Sequence, residues 1–231
     1  MNPRAPVLIA GASGLVGGHV LTRLLWPATG PRVLAPVRRP LGVEHARLAP
    51  LLGDPAAGTD DEFASRLAAI EPRIGAFVCC LGTTLRDAGS REAFVAVDRE
   101  LVLRLARISR TLGAGHAVLV SSVGASAQSG NFYLRVKGEV ERALASLGFA
   151  RVDVLRPGLL LGDRAQHRPG ERIARAFAPA FNPLLRGRLS RYRAIPADSV
   201  AAAAVALLDQ DSEGVVVHEH ASLSGRAAIA G

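Results

Sequence analysis

Tyr133 and Lys137 stand four residues apart in the run Tyr133-Leu134-Arg135-Val136-Lys137. On a helix, that spacing puts both side chains on one face. An ammonium beside a phenol favours the phenolate, so such a pair can pass a proton near neutral pH. The same ammonium can hydrogen-bond a nicotinamide ribose. Lys137 is the single Lys among 28 basic residues, and every other one is Arg. Arg would keep the charge but is forked, bulkier and differently hydrated, so a lone Lys here reads as retained for chemistry. Ser121 and Ser122 end an apolar run twelve and eleven residues before Tyr133. A Ser122 hydroxyl at a strand end is suited to hold a substrate carbonyl oxygen beside the phenol. The expected catalytic set is therefore Tyr133, Lys137 and Ser122.

These residues need a cofactor platform, and the N-terminus offers one. The apolar run Val7–Ala10 leads into Gly11-Ala12-Ser13-Gly14-Leu15-Val16-Gly17 and then a helical pattern to about Leu25. Glycines allow a tight turn and close backbone approach, and the helix N-terminus that follows favours a pyrophosphate. The strand–turn–helix context makes the motif a dinucleotide signature, with Gly11, Ser13, Gly14, Leu15, Val16 and Gly17 as contacts. An NAD site places a carboxylate at the end of the second strand for the ribose 2′-hydroxyl. Here Val33–Val37 is followed by Arg38 and Arg39, and no carboxylate occurs before Glu44. Two guanidiniums suit a 2′-phosphate, so NADP (NADPH) is expected in preference to NAD. Asp54, after a third strand over 51–53, is expected near the adenine.

The elements around these motifs alternate. Strands are expected at Val7–Ala10, Arg32–Val37, Ile74–Cys80, His116–Ser121, Val152–Leu155 and Gly214–His218. Helices are expected at 15–25, 93–112, 133–147 and 171–177, and from an Asp198 N-cap to Leu208. Continuous apolar strands alternating with helices predict an α/β fold. Its core is a doubly wound, Rossmann-like parallel sheet with helices on both faces. The chain reads as one domain over 1–231, with 157–231 contributing a small C-terminal substrate lobe.

Composition narrows the class. Of 231 residues, 49% are hydrophobic and 21% charged, which excludes wholesale disorder. No run of about 18 apolar residues is free of charge, so no membrane span is expected. The two Cys, Cys79 and Cys80, are adjacent, which rules out a disulfide framework and fits the reducing cytoplasm. They read as small buried residues at a strand end. His218 and His220 share a strand face but lack further ligands, so no metal site is expected. The net charge of +8 is concentrated: residues 163–193 carry Arg164, Arg168, Arg172, Arg175, Arg186, Arg188, Arg191 and Arg193 against Asp163 and Glu171. That stretch is expected to receive a small, anionic substrate. Aromatics at 4% are too few for base stacking, so nucleic acid is not an expected partner.

Together the pieces resemble the short-chain dehydrogenase/reductase superfamily in its atypical or extended branch. More narrowly, they resemble the Tat-interacting-protein-like NAD(P)-binding group and its bacterial relatives. The resemblance rests on 77–84 (FVCCLGTT), Phe94-Val95-Ala96-Val97-Asp98, Ser121-Ser122, Asn131-Phe132-Tyr133, Val136-Lys137-Gly138-Glu139 and Arg156-Pro157-Gly158. It implies that Leu81, Gly82 and Thr83 pass over the cofactor and that Pro157 and Gly158 lie beside the nicotinamide. Many members carry an Asn in the helix that supports the lysine, and Asp98 stands near that place. The expected activity is an NADP-dependent oxidoreductase of a small carbonyl or alcohol. The alternatives are an NADPH-binding regulatory module without turnover and an epimerase/dehydratase-like enzyme.

Overall fold

The computed structural model of the protein describes residues 5–162, 185 and 187–229. The expected helix over 171–177 and six of the eight clustered arginines, or their side chains, fall outside the described residues. The main sheet has seven parallel strands in the order β3-β2-β1-β4-β5-β6-β9. They are β1 (Val7–Ala10), β2 (Val33–Val37), β3 (Leu48–Leu52), β4 (Ala76–Cys79), β5 (His116–Val120), β6 (Arg151–Leu155) and β9 (Gly214–His218). The chain runs outward from β1 to β3, then returns across the sheet through β4. That reversal opens a crevice at the carboxyl ends of β1 and β4, the place where such sheets bind ligands.

Helices cover both faces. On one face, α1 (Leu15–Leu25) and α7 (Ala197–Leu207) pack over Ile9, Val78, Val118 and Leu155. On the other, α2 (Asp60–Ile70), α5 (Val102–Thr111) and α6 (Phe132–Ala145) pack over Leu8, Phe77 and Leu119. Strand side chains alternate between these two cores, so both sides of each central strand are apolar. The single Trp, Trp26, ends α1 and is 85% exposed. Short helices α3 (Leu85–Ala88) and α4 (Arg91–Val95) follow β4.

Several boundaries differ from the sequence reading. The helix expected over 93–112 starts at Arg91, widens into a π turn over Ala96–Leu101 and resumes as α5. The third strand is Leu48–Leu52, not 51–53; Gly53 lies past its end at φ 133°. Helix α2 buries only Phe63 and Leu67 and is announced instead by its cap. Thr59 Oγ1 accepts from Glu62 N at 3.2 Å, and the Glu62 carboxylate accepts from Thr59 N at 2.8 Å. Asp198 is not the N-cap of α7. Pro196 holds that place, and Asp198, in the first turn, accepts from Arg23 of α1 at 2.8 and 3.0 Å. His220 does not share a strand with His218; it opens a further helix, α8 (His220–Ile229).

His218 belongs to a buried cluster that ties three strands. Asp153 of β6 has no exposed surface. Its carboxylate contacts Nε2 of His116 and Nε2 of His218 at 2.7 Å each, and accepts from Arg151 at 2.6 and 2.9 Å. Burial pushes this carboxyl up, but the His116, His218 and Arg151 donors outweigh it and hold the group far below the usual carboxylate range.

Beyond β6, a two-stranded parallel pair, β7 (Leu160–Leu161) with β8 (Ile195–Pro196), stands beside the crevice. A 3₁₀ segment over Gly187–Tyr192 leads into β8.

Candidate active site

The glycine turn is built by close approach. Gly11 has φ 85°, and a Cβ there would sit 2.8 Å from the Cys80 and Leu81 backbone. A Cβ on Gly17 would sit 2.0 Å from the Gly11 carbonyl oxygen. These two glycines let β1, the first turn of α1 and the end of β4 touch. Gly14 caps α1 with no side-chain hydrogen bond, and no acidic residue occupies the first turn. The free N–H groups there are open to an anion.

The crevice is a cleft of about 930 Å³. Its walls include Ser13, Gly14, Leu15, Val16, Arg39, Leu81, Gly82, Thr83, Ser122, Tyr133, Lys137, Pro157 and Gly158. Thirteen expected site residues, from six separate stretches of chain, thus meet around one space. Gly11 and Gly17 are behind the wall, shaping the turn. Arg38 and Asp54 are not on it: Arg38 is exposed, and Asp54 Oδ1 accepts from Ala56 N at 3.0 Å within its own turn. Of the arginine pair, Arg39 is the one facing the cleft. A second hollow of about 860 Å³ lies between α1 and α7 beside His19, Arg23, Trp26 and Asp198, away from the glycine turn.

Helix α6 presents the chemistry. Asn131 caps it by accepting from Leu134 N at 3.1 Å, which starts the helix one residue before Tyr133. Gly138 lets α6 press on the loop after β5, where a Cβ would fall 2.2 Å from the Ser126 carbonyl carbon. Phe94 of α4, fully buried, backs Tyr133 at 5.6 Å between ring centroids. Lys137 is buried, and its Nζ lies 2.7 Å from Asp98 Oδ1. The other Asp98 oxygen accepts from the Thr83 backbone N–H at 2.8 Å. Burial works to lower the Lys137 pKa, but the Asp98 carboxylate, aided by Tyr133, holds it above the ordinary lysine value.

The two serines have different surroundings. Ser121 Oγ donates to Glu141 Oε1 at 2.5 Å, and Arg156 closes on the same carboxylate at 3.1 and 2.5 Å. Ser122 Oγ has only a 3.5 Å contact to its neighbour's carbonyl, so its hydroxyl is available to a ligand. Glu141 and Arg156 were missed as site supports. Glu141 lies one further turn along the Tyr133–Lys137 face, and that periodicity was the available sign. Cys80 also lines the cleft, while Cys79 is buried in β4. Burial pushes the Cys79 thiol up to about 12 and Cys80 higher still, so neither is a thiolate at neutral pH.

The cleft has the glycine turn and open helix terminus that suit a nicotinamide cofactor. The sequence profile of the NAD dependent epimerase/dehydratase family matches residues 7–215. The chain belongs to that family. Family membership fits the glycine turn and the open α1 terminus, and carries with it a nicotinamide cofactor. Protein fmp52, mitochondrial, of Emericella nidulans is 39% identical over 178 residues, covering 77% of this chain and 76% of that protein. Protein HTATIP2 of Rattus norvegicus is 52% identical over 99 residues, covering 43% and 40%. A short-chain type dehydrogenase/reductase from Mycobacterium ulcerans shares the fold at TM-score 0.67 and 20% identity, covering 97% and 90%. The chain is thus an extended short-chain dehydrogenase/reductase with HTATIP2-like relatives. Among the described residues no helix is long and apolar enough to cross a membrane.

Proposed function

We propose that the protein is an NADP-dependent oxidoreductase acting on a small carbonyl or alcohol. The carrying observation is that Ser122, Tyr133 and Lys137 line the same cleft as the glycine turn and Arg39. In this reading the open end of α1, with Ser13 and Gly14, binds the pyrophosphate, and Arg39 binds the 2′-phosphate. The cofactor's chemistry is to exchange a hydride with the substrate carbon. Ser122 orients the substrate oxygen. Tyr133 gives or takes the proton at that oxygen through its phenol. Lys137 keeps a positive charge beside it and donates to ribose hydroxyls. Leu81–Thr83 on one side, and Pro157 and Gly158 on the other, exclude water from the reacting atoms. The lobe from residue 157 receives the substrate.

The test is direct. Purified protein is titrated with NADPH by fluorescence, then mixed with a panel of aldehydes and ketones while NADPH oxidation is followed. Turnover lost in Tyr133→Phe supports the mechanism; turnover unchanged overturns it. Binding without turnover on a broad panel favours a regulatory module that reads the cofactor. Interconversion of a nucleotide-linked sugar without net NADPH consumption favours an epimerase, the reading that the family's description supports. The assignment to the cytoplasm is tested by cell fractionation. Recovery with an organelle, as the name of the Emericella relative suggests for that protein, would overturn it.

A further inference from the structure

The hollow of about 860 Å³ between α1 and α7 has no part in the proposed reaction. Its size is that of a small-molecule site. Ala202, Val205 and Ala206 line it from α7, and Trp26 and Pro27 line it from the end of α1. The short side chains of Ala202 and Ala206 leave room between the two helices. The Trp26 indole is 85% exposed, the most of any exposed large apolar side chain among the described residues. An indole offers a large, rigid apolar face, and this one stands bare beside an apolar hollow.

The charges around the hollow are mostly answered from within the fold. Asp198 accepts from Arg23 at 2.8 and 3.0 Å, and His19 Nδ1 lies 3.6 Å from the same carboxylate. Asp209 has a partner of its own. Arg226, which borders the hollow from α8, is half-buried and has neither an ion pair nor a hydrogen bond to its side chain among the described residues. A guanidinium taken part-way out of water gains from a counter-ion, and its fork matches a carboxylate. One unanswered cation at the border of an apolar hollow complements one anionic head on an apolar body. Asp198 and Asp209 border the same space and oppose a second negative charge.

We propose that this hollow binds an amphipathic carboxylate, with its apolar body against Trp26 and α7 and its carboxylate on Arg226. The site is separate from the cofactor cleft and stands whatever reaction the cleft performs.

The single Trp makes the test local. Protein grown with ¹⁵N-labelled tryptophan gives one indole Nε1–H resonance, that of Trp26. Decanoate and 2-naphthoate are titrated separately, one offering a flexible chain and the other a flat ring system. A saturable shift at millimolar concentration or below with either supports the proposal, and the tighter binder tells which body the hollow fits. No saturable shift with both overturns it. Arg226→Gln weakens the better carboxylate about tenfold or more, the worth of one charge-assisted contact. The neutral counterpart, decanol or 2-naphthalenemethanol, binds wild type and Arg226→Gln equally. An equal loss for acid and alcohol, or no loss for the acid, overturns the proposal. Trp26→Ala, followed by calorimetry, weakens acid and alcohol alike; unchanged affinity overturns the proposal. Trp26 is exposed and Arg226 unpaired, so both variants keep the wild-type melting temperature. His19 and Thr22 border both the hollow and the cofactor cleft, so competition is the last check. Excess NADPH does not displace the carboxylate; competitive displacement would put the probe in the cleft and overturn the proposal.

Discussion

Among the described residues two carboxylates, Asp98 and Asp153, have no exposed surface, and they are buried for different ends. Asp153, in the middle of the sheet, is surrounded by Arg151, His116 and His218. Asp98, at the cleft, meets Lys137 and a single backbone N–H. The partners differ in one decisive property. A guanidinium stays charged at any accessible pH, so the Arg151–Asp153 pair has no escape if one member is lost. An ammonium can discharge, so the Lys137–Asp98 pair can relax by losing a proton. A cation that must never change state suits a structural clamp; one whose state must be held suits a site of chemistry.

Four measurements strain this contrast. The largest effect is expected at the cleft and in rate alone. Tyr133→Phe lowers turnover by about 100- to 10,000-fold, the usual worth of a positioned acid–base group, while melting temperature and NADPH affinity hold. Next is the sheet. Asp153→Asn leaves Arg151 charged and buried and costs about 3–5 kcal/mol of stability, read by chemical denaturation. NADPH affinity of the folded fraction is unchanged, and a selective affinity loss would erase the distinction between the two sites. The third measurement is the acid limb. The folded Asp153 pKa is depressed, so its stabilisation is present above about pH 4 and is lost as pH falls toward the folded value. Wild-type melting temperature therefore drops more steeply between about pH 5 and pH 2 than that of Asp153→Asn. Parallel curves would mean that Asp153 is not ionised in the fold. The smallest effect separates Arg39 from Arg38. Arg39→Ala weakens NADPH about ten- to a hundredfold and NADH little, as expected for one charge-assisted contact. Arg38→Ala changes both only slightly, and a larger effect at Arg38 would reverse the assignment.

Much of this was readable in the sequence wherever one residue type has one physical use. Gly11 and Gly17 are there because a Cβ would strike backbone. The solitary Lys137 stood out among arginines. The short apolar stretches at Val7–Ala10, His116–Ser121 and Val152–Leu155 were legible as buried strands. What was hidden depends on partners far along the chain. The family resemblance put Asp98 near the lysine's support, but the direct Asp98–Lys137 contact was not legible, because the π turn that brings them together has no sequence signature. Asp153 has no sequence cue for its role, because His116 and His218 reach it from two other strands. Arg38 and Arg39 are alike in the sequence, and only the path of the chain after β2 decides which one faces the cleft. Helix α2 was overlooked because its two buried residues, Phe63 and Leu67, make too thin a stripe, although the Thr59–Glu62 box had marked its start.

The exposed Trp26 has an optical consequence. Its indole already sits in water at the end of α1, so unfolding will barely shift its emission. Intrinsic tryptophan fluorescence will be nearly silent about folding, which circular dichroism must follow instead. The same indole stands one 11-residue helix, about 16 Å, from the glycine turn. It is therefore a steady, built-in donor whose quenching by bound NADPH can be read without interference from changes in the core.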